Sequence, residues 1–162
     1  MASNKVAYAT STAITITLNS LANAGVRECT AVDNGTNLYL DAWIYVACKL
    51  ATGTPTANTA VINVYAYASE DGTNYQDNCT GSDAAVTLRS PTNLKLLGQL
   101  WTPTSGALTY KGVFSFMYSP YGAFGGLFLP RKWGIVVQNT TGVAFDSTGC
   151  SASYSGVYST SA

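Results

Sequence analysis

Strict alternation of apolar and polar side chains is the strongest pattern in this chain. Between residues 38 and 50, every second position is apolar or a cysteine. A period of two places alternate side chains on opposite faces of a β-strand. One set is Leu38, Leu40, Ala42, Ile44, Val46, Cys48 and Leu50, and the other is Tyr39, Asp41, Trp43, Tyr45, Ala47 and Lys49. The segment therefore predicts a long strand whose first set faces a core and whose second set faces outward or toward a partner.

Shorter segments repeat this pattern. Further strands are predicted at residues 14–18, 26–32, 61–69, 85–89, 94–100, 108–118, 127–138 and 152–159. Turn-forming pairs such as Asn34-Gly35 and Asp71-Gly72 separate them, and no segment keeps the 3.6-residue period of a helix. Eight or nine short strands between such turns predict an all-β fold. We expect an antiparallel β-sandwich of the jelly-roll type rather than a seven-stranded immunoglobulin-like sandwich.

The chain shows no composition shift or linker that would divide it, and its 162 residues suit one domain. We predict a single β-sandwich domain over residues 12–158. Residues 1–11 and 159–162 are small and polar, and we interpret them as an N-terminal arm and a C-terminal tail. We expect the arm to reach a neighbouring subunit, where it would add a strand or lie along a groove.

Charge is scarce and balanced. The chain has 8 basic and 8 acidic residues, no histidine and a net charge of zero. It lacks the basic surface that attracts nucleic acid or anionic lipid, so neither partner is predicted. Without histidine, Ser-His-Asp and Cys-His catalysis are excluded. Its apolar runs are far shorter than the ~20 residues of a membrane helix. We therefore expect a soluble protein made in a cytoplasm, neither an enzyme nor a cofactor-binding protein.

Carboxylates suggest two chemical sites, both with weak patterns. The loop 70–77 carries three candidate oxygen ligands for calcium. They are Asp71, Asn74 and Asp77. Because the spacing is not that of an EF-hand, we interpret the segment as an Asp-Gly turn. An acid and base pair for glycoside cleavage would need Glu28 or Asp41 as well, because the adjacent Glu70 and Asp71 point to opposite faces.

The four cysteines lack the short spacing of a zinc site, so no metal centre is predicted. They are Cys29, Cys48, Cys79 and Cys150. Cys48 belongs to the apolar set of its strand, where a buried thiol is ordinary packing. We predict mostly free thiols. A bridge between Cys79 and Cys150 stays open, since both lie in Gly- and Ser-rich turns.

Aromatic residues are the features most suited to binding, because eleven Tyr and three Trp accompany very little charge. Three interpretations stay open for the outward aromatics of residues 38–50 and 61–69: a protein interface, a second buried layer under a loop or sheet, or a sugar platform. The apolar segment 118–129 is a further candidate binding site. The candidate interface residues are Tyr39, Trp43, Tyr45, Tyr121, Phe124 and Phe128. No catalytic, cofactor-binding or metal-ligating residue is predicted.

Several short motifs in the second half of the chain carry a family resemblance. They are SEDGTNY at 69–75, LKLLGQL at 94–100, LPRKWGIVVQN at 129–139, TGVAF at 141–145 and YSGVY at 154–158. This part of the chain resembles small jelly-roll virion proteins of tailed bacteriophages that cement or decorate capsids. The resemblance implies a structural role with neither a cofactor nor a catalytic residue.

We therefore expect a cement or decoration protein on the virion capsid surface, made in the host cytoplasm. Its expected partners are the major capsid protein and further copies of itself, as a trimer or a dimer. One alternative is a structural component of a phage tail or baseplate. Another is a carbohydrate-binding β-sandwich module, which would need an exposed Trp43 or Tyr45 with a polar rim.

Overall fold

A computed structural model describes residues 4–102, 107–117 and 128–161 of the chain. The regular structure of these residues is entirely β. Sheet 1 contains β1 (Asn4–Tyr8), β2 (Thr12–Ala13), β5 (Asp41–Lys49), β9 (Thr109–Ser115) and β11 (Ser151–Ser161). Sheet 2 contains β3 (Val26–Glu28), β4 (Val32–Asp33), β6 (Val61–Ser69), β7 (Ala84–Ala85), β8 (Lys95–Trp101) and β10 (Lys132–Asn139). The described part of the chain contains no helix with the length and apolarity needed to span a bilayer.

The order of the strands is that of a jelly roll. The short strands β1 and β2 both pair with β11, and β3 and β4 both pair with β10. Each of these couples counts as one strand position, and β7 is an added edge strand. The described residues then have eight strand positions. In chain order they lie as 1-8-3-6 in sheet 1 and 2-7-4-5 in sheet 2, and the pairings are antiparallel. The predicted all-β sandwich of jelly-roll type is confirmed.

The core lies between the two sheets and is built from the alternating apolar positions. Sheet 1 supplies Ile44 and Val46, and sheet 2 supplies Ile62, Val64 and Ile135, all without exposed surface. At one end, three aromatic rings pack edge to face. The ring of Trp133 lies 5.0 Å from that of Phe116 and 5.1 Å from that of Tyr154. Such T-shaped contacts add to the free energy gained from burial.

A second buried layer covers the outer face of sheet 2. The long connection between β6 and β8 folds back over this face and is held there by Glu28 and Tyr67, neither of which has exposed surface. The Glu28 carboxylate accepts hydrogen bonds from the backbone N–H groups of Thr80 and Gly81 and from the Thr80 hydroxyl. The ring of Tyr67 packs at 5.7 Å from that of Tyr75. The connection therefore shields the outer face of sheet 2 around Glu28 and Tyr67, whereas Gln99 and Trp101 of β8 remain exposed.

Several predicted strand boundaries were wrong. The strand predicted from residue 38 begins at Asp41, because Leu38 adopts a left-handed φ of 52° in a turn and is 71% exposed. Residues 14–18 bury Ile14 and Leu18 as predicted but form no strand, since the Thr17 N–H bonds the Asp83 side chain. The strand predicted at 85–89 is only Ala84–Ala85, and the one predicted at 26–32 is split into β3 and β4.

Both ends of the predicted domain continue into strands of sheet 1. Within the predicted arm 1–11, Asn4–Tyr8 forms β1 and pairs with β11 of the same chain. Within the predicted tail 159–162, β11 continues to Ser161. One of the two outer strands of sheet 1 is therefore β1, which pairs with β11, and the other is β9.

Candidate binding face

The outer face of sheet 1 carries Trp43 and Tyr45, two of the six residues predicted as candidate interface. The register places Tyr8, Val157 and Asp41 in one cross-strand row. The next row contains Ser155, Trp43 and Ser115, and the one after it contains Ser153, Tyr45 and Val113. Side chains that are directly opposite in a ladder share a face. We call this surface the sheet 1 outer face.

Exposed apolar side chains concentrate on this face. Nine large hydrophobic side chains are exposed among the described residues, and five belong here. These five are Val6, Tyr8, Trp43, Val113 and Met117. Two others, Leu38 and Phe128, lie near the start of β5, where the Leu129 N–H donates to the Leu40 carbonyl. Contiguous exposed apolar surface commonly marks an interaction site in a soluble protein.

A groove crosses the face at the end where β5 begins. Its volume is about 280 Å³, and its lining is mostly apolar. The lining residues are Val6, Tyr8, Leu40, Asp41, Trp43, Met117 and Val157. Three strands contribute side chains to this lining, so the groove exists only in the folded sheet. Two aromatic rings and several aliphatic groups here offer large contact area with little rotamer entropy to lose.

Asp41 is the polar group at the base of this groove. It is 2% exposed, and its carboxylate accepts hydrogen bonds from the Ser115 hydroxyl at 2.5 Å and the Phe116 N–H at 3.2 Å. The Met117 N–H lies 3.3 Å from the same carboxylate oxygen as the Phe116 N–H. A buried carboxylate with several donors is satisfied within the protein. Asp41 therefore fixes the chain where it leaves β9 and orients Met117 at the groove.

The predicted interface residues separate into three groups. Trp43 is 39% exposed on the sheet 1 outer face, and Tyr45, half-buried, follows on the same face. Tyr39 was predicted to share that face but packs against the core, with its ring over Gly156. The left-handed turn at Leu38 breaks the alternation on which this prediction depended. Phe128 is exposed. Tyr121 and Phe124, with most of segment 118–129, lie outside the described residues.

Val6 and Tyr8 line the groove but were not among the predicted interface residues. Both belong to β1, which was predicted to be an arm rather than part of the sheet. The sequence did contain an indication of this strand, because apolar Val6 and aromatic Tyr8 are two positions apart, as strand residues on one face are. Met117 was missed because its place depends on the hydrogen bond to Asp41.

The aromatics predicted to face outward from β6 form part of a second buried layer rather than a protein interface or a sugar platform. Tyr67 is fully buried, and its hydroxyl donates to the Cys29 carbonyl at 2.6 Å. Gly134 is opposite Tyr67 in the ladder, and a β-carbon there would lie 2.4 Å from the tyrosine ring. Tyr65 is half-buried and bonds the Gln138 side chain. These tyrosines belong to the layer under the β6–β8 connection.

The carboxylates considered for calcium binding and glycoside cleavage form hydrogen bonds that stabilise the fold. Asp71 accepts hydrogen bonds from the backbone N–H groups of Asn74 and Thr73, which hold the pKa of its carboxyl well below the usual value. Glu28 is buried in sheet 2, whereas Asp41 is buried in sheet 1, so they do not face one another across a cleft. Asp77 accepts hydrogen bonds from the Arg89 N–H and the Thr92 hydroxyl. The geometry therefore matches the Asp-Gly turn interpretation of the acidic loop.

The described residues contain no cluster of three or more metal-ligating side chains. The four cysteines are unbridged. Cys29 lies beside Tyr67 in sheet 2, where burial raises the pKa of its thiol to about 11. Cys79 lies near Cys29 and Glu28, and burial raises the pKa of its thiol to about 12. Cys150 instead lies against β5 in sheet 1, where its sulfur contacts the backbone of Lys49.

Comparison with known proteins adds no assignment. No family model matches the chain, and a search of the curated proteins finds no match.

Proposed function

We propose that this protein is a structural virion protein that binds the outside of a bacteriophage capsid and stabilises it. The observation that carries the proposal is the sheet 1 outer face, where exposed apolar side chains stand among serines and a groove with a mostly apolar lining lies beside Trp43 and Tyr8. The ladders place three charged residues on this face: Asp41, Lys49 and Lys111. Asp41 is buried, and the Lys49 ammonium pairs with Asp146 at 3.2 Å. Such a surface suits contact with another protein.

The proposed mechanism is stabilisation by mass action. A protein that binds only the assembled lattice lowers the free energy of that lattice relative to its separated subunits. Binding through apolar and aromatic contacts depends little on exposed ion pairs, so it is weakly sensitive to salt. Contacts with neighbouring capsomers, made by a homo-oligomer of the chain, would resist outward pressure from packaged DNA.

Two further considerations support a capsid role over a catalytic one. The jelly roll recurs in viral capsid proteins, although it also occurs in lectins and cupins, so this support is by analogy of fold. The sequence motifs of the second half resemble those of phage decoration proteins. Neither consideration depends on the groove, and each points to a protein that works through its surface.

The test compares two tryptophans. Trp43→Ala removes a wall of the groove, and Trp101→Ala removes a tryptophan that is 60% exposed at the end of β8 in sheet 2. Central aromatic residues of interfaces contribute about 2 kcal/mol or more, so we expect Trp43→Ala to weaken binding at least ~10-fold. Trp101→Ala should bind like the unaltered protein. Co-sedimentation with shells assembled from the major capsid protein measures both.

Failure of the unaltered protein to bind assembled shells would refute the capsid role. Equal binding by the two variants would refute the assignment of the face. The copy number per virion distinguishes the tail or baseplate alternative, since hundreds of copies indicate the capsid and a few dozen or fewer indicate the tail.

One observation favours carbohydrate as a second candidate ligand. Trp43 lies beside the half-buried Ser155 in its cross-strand row, whereas Ser115 on its other side is buried and its hydroxyl donates to Asp41. An exposed aromatic ring beside polar groups is the arrangement in which a sugar ring can stack and form hydrogen bonds. Binding on a glycan array that is lost in Trp43→Ala but kept in Trp101→Ala would support this function. Absence of binding to every glycan would exclude it for the sugars on the array.

A further inference from the structure

The register of β5 and β11 brings two distant cysteines to facing positions. The last pair of this ladder joins Ser151 to Ala47. Cys150 immediately precedes β11, and continuing the register by one step places it opposite Cys48. The two residues are far apart in sequence, and only the pairing of these strands places them together.

The hydrogen-bond pattern defines what kind of position this is. Within β11, the carbonyls of Ala152 and Gly156 accept from Ile14 and Ala9, on the side away from β5. Cys150 is an even number of positions from these residues, so its backbone groups point to the same side of the strand. Its N–H likewise donates away from β5, to the Asn19 side chain. Continued by one step beyond β11, this register assigns Cys48 and Cys150 to a non-hydrogen-bonded pair position, where Cα atoms are typically about 4.5 Å apart. Disulfides bridge Cα separations of about 4.4–6.8 Å.

The sulfur of Cys150 is already in contact with β5. It accepts a hydrogen bond from the Lys49 N–H at 3.3 Å and lies 3.6 Å from the Lys49 carbonyl oxygen. The Lys49 nitrogen is bonded to the carbonyl carbon of Cys48, so the Cys150 sulfur lies close to the backbone of Cys48. A χ1 rotation of Cys150 would move its sulfur toward that of Cys48. Cys29 and Cys79 lie together near Glu28 in sheet 2 and are held apart from this pair.

We propose that Cys48 and Cys150 are a cross-strand redox pair that forms a disulfide when the protein meets an oxidising environment. The oxidant is a small-molecule disulfide such as oxidised glutathione. The half-buried Cys150 thiolate attacks one sulfur of it, forming a mixed disulfide and releasing one glutathione thiolate. The Cys48 thiolate then attacks the Cys150 sulfur, closing the protein disulfide and releasing the second glutathione. The protein loses two protons and two electrons, and the glutathione disulfide gains them.

The bridge would fasten the two central strands of sheet 1, directly beneath its outer face. In a reducing cytoplasm both thiols persist, whereas outside a cell the disulfide is favoured. A bridge that closes such a long loop stabilises mainly by restricting the unfolded chain. The protein would therefore fold as a thiol and become more stable after release. The inference does not depend on what the outer face binds.

The experiment oxidises the folded, full-length protein with oxidised glutathione at pH 9, where thiolates form more readily. Free thiols are then alkylated, and the digest is mapped by mass spectrometry. We expect a linked peptide pair joining Cys48 to Cys150, with Cys29 and Cys79 alkylated. The midpoint of thermal unfolding should rise by about 5–10 °C and return after reduction. The variant Cys150→Ala should show neither change, and Cys79→Ala should show both.

Two results would overturn the proposal. One is a folded protein that keeps four alkylatable thiols after prolonged oxidation. The other is a first bond that joins Cys150 to Cys79 rather than to Cys48. The mapping is made on the unaltered chain, so the outcome does not depend on whether a variant folds. A sample oxidised in urea provides the pattern expected when cysteines pair without the constraint of the fold.

Discussion

At the scale of single residues, the polar groups of this protein are mostly structural. Glu28 has no exposed surface, and every hydrogen bond to its carboxylate comes from Thr80 or Gly81, in the connection that covers sheet 2. Asp41 performs a similar role in sheet 1 for the residues that follow β9. Removing such a group leaves buried donors without an acceptor, which costs more than the bond itself contributes. Both carboxylates therefore hold loops in place.

This role of Glu28 gives a direct prediction. Glu28→Gln replaces one carboxylate oxygen with an NH₂ group that would face the N–H donors of Thr80 and Gly81. We expect a loss of about 1–3 kcal/mol in the free energy of unfolding, measured by urea denaturation. Hydrogen exchange at these two amides should accelerate more than exchange in β5.

The matched control is Glu70→Gln, since Glu70 is exposed in the same connection. It should change stability by no more than about 0.5 kcal/mol. Equal effects of the two substitutions would mean that the buried carboxylate does not anchor the connection.

Among the strands, β1 differs most from its prediction, because the sequence predicted an arm that reaches a neighbouring subunit and the structure pairs this segment with β11 of the same chain. It is an edge strand of sheet 1, and most of its side chains are exposed. Its contribution to the buried core is therefore small, but it covers the edge of β11 and supplies Val6 and Tyr8 to the groove. Edge strands without cover are prone to pair with other chains.

We predict that deleting residues 2–10 leaves the fold intact but weakens binding to capsid shells. Circular dichroism should show the same β-sheet signature, because the core residues of β5, β6 and β10 remain. The exposed edge of β11 should make the truncated protein aggregate at lower concentration, which light scattering measures. Unchanged binding by the truncated protein would remove β1 from the proposed interface.

A companion variant separates the side chains of β1 from its backbone. Tyr8→Ser keeps the strand and its hydrogen bonds but removes an aromatic wall of the groove. It should reduce shell binding without increasing aggregation. If the deletion weakens binding and Tyr8→Ser does not, the backbone of β1 rather than the groove carries the contact.

At the scale of the whole molecule, stability should depend on pH only at the two extremes. The pKa values of several carboxyl groups lie below their usual value in the fold, as for Asp71, bonded by the N–H groups of Asn74 and Thr73. Asp146, bonded by the Thr148 N–H and the Lys49 ammonium, behaves likewise. A lowered pKa contributes stability at neutral pH that is lost as the pH falls below about 4.

At alkaline pH, the buried cysteine thiols determine where the stability of the fold begins to decrease. Burial raises the pKa of Cys29 to about 11 and that of Cys79 to about 12, against an ordinary value of 9.0. Above that ordinary value the unfolded chain loses these protons while the folded chain keeps them, so stability falls as the pH rises. No histidine titrates in between.

We therefore predict a urea midpoint, measured with reductant present, that is constant from about pH 5 to 8 and declines on both sides. Cys29→Ala should reduce the alkaline decline and leave the acid decline unchanged. A step in stability near pH 6.5 would contradict this account, because no side chain of the chain ordinarily titrates there.

The fold class follows from the amino-acid pattern alone, because apolar residues at every second position are typical of β-strands and of no other regular structure. The pattern also identified Trp43 and Tyr45 as outward aromatics, since both lie within an unbroken stretch of alternation. The same reasoning failed for Tyr39, where a left-handed turn interrupts the strand, and for Tyr67, which the β6–β8 connection buries. Alternation assigns a side chain to a face but does not tell what covers that face.

Only the tertiary structure decided which residues meet. Tyr8, Val157 and Asp41 form one row because β11 pairs with both β1 and β5, and the same pairing brings the Cys150 sulfur to the backbone of Lys49 in β5. These pairings are non-local, and nothing in the local pattern of either strand specifies its neighbour. The groove and the proposed cysteine pair thus arise from the jelly-roll order of the strands, whereas local alternation identified only Trp43 of the two aromatic rings that line the groove.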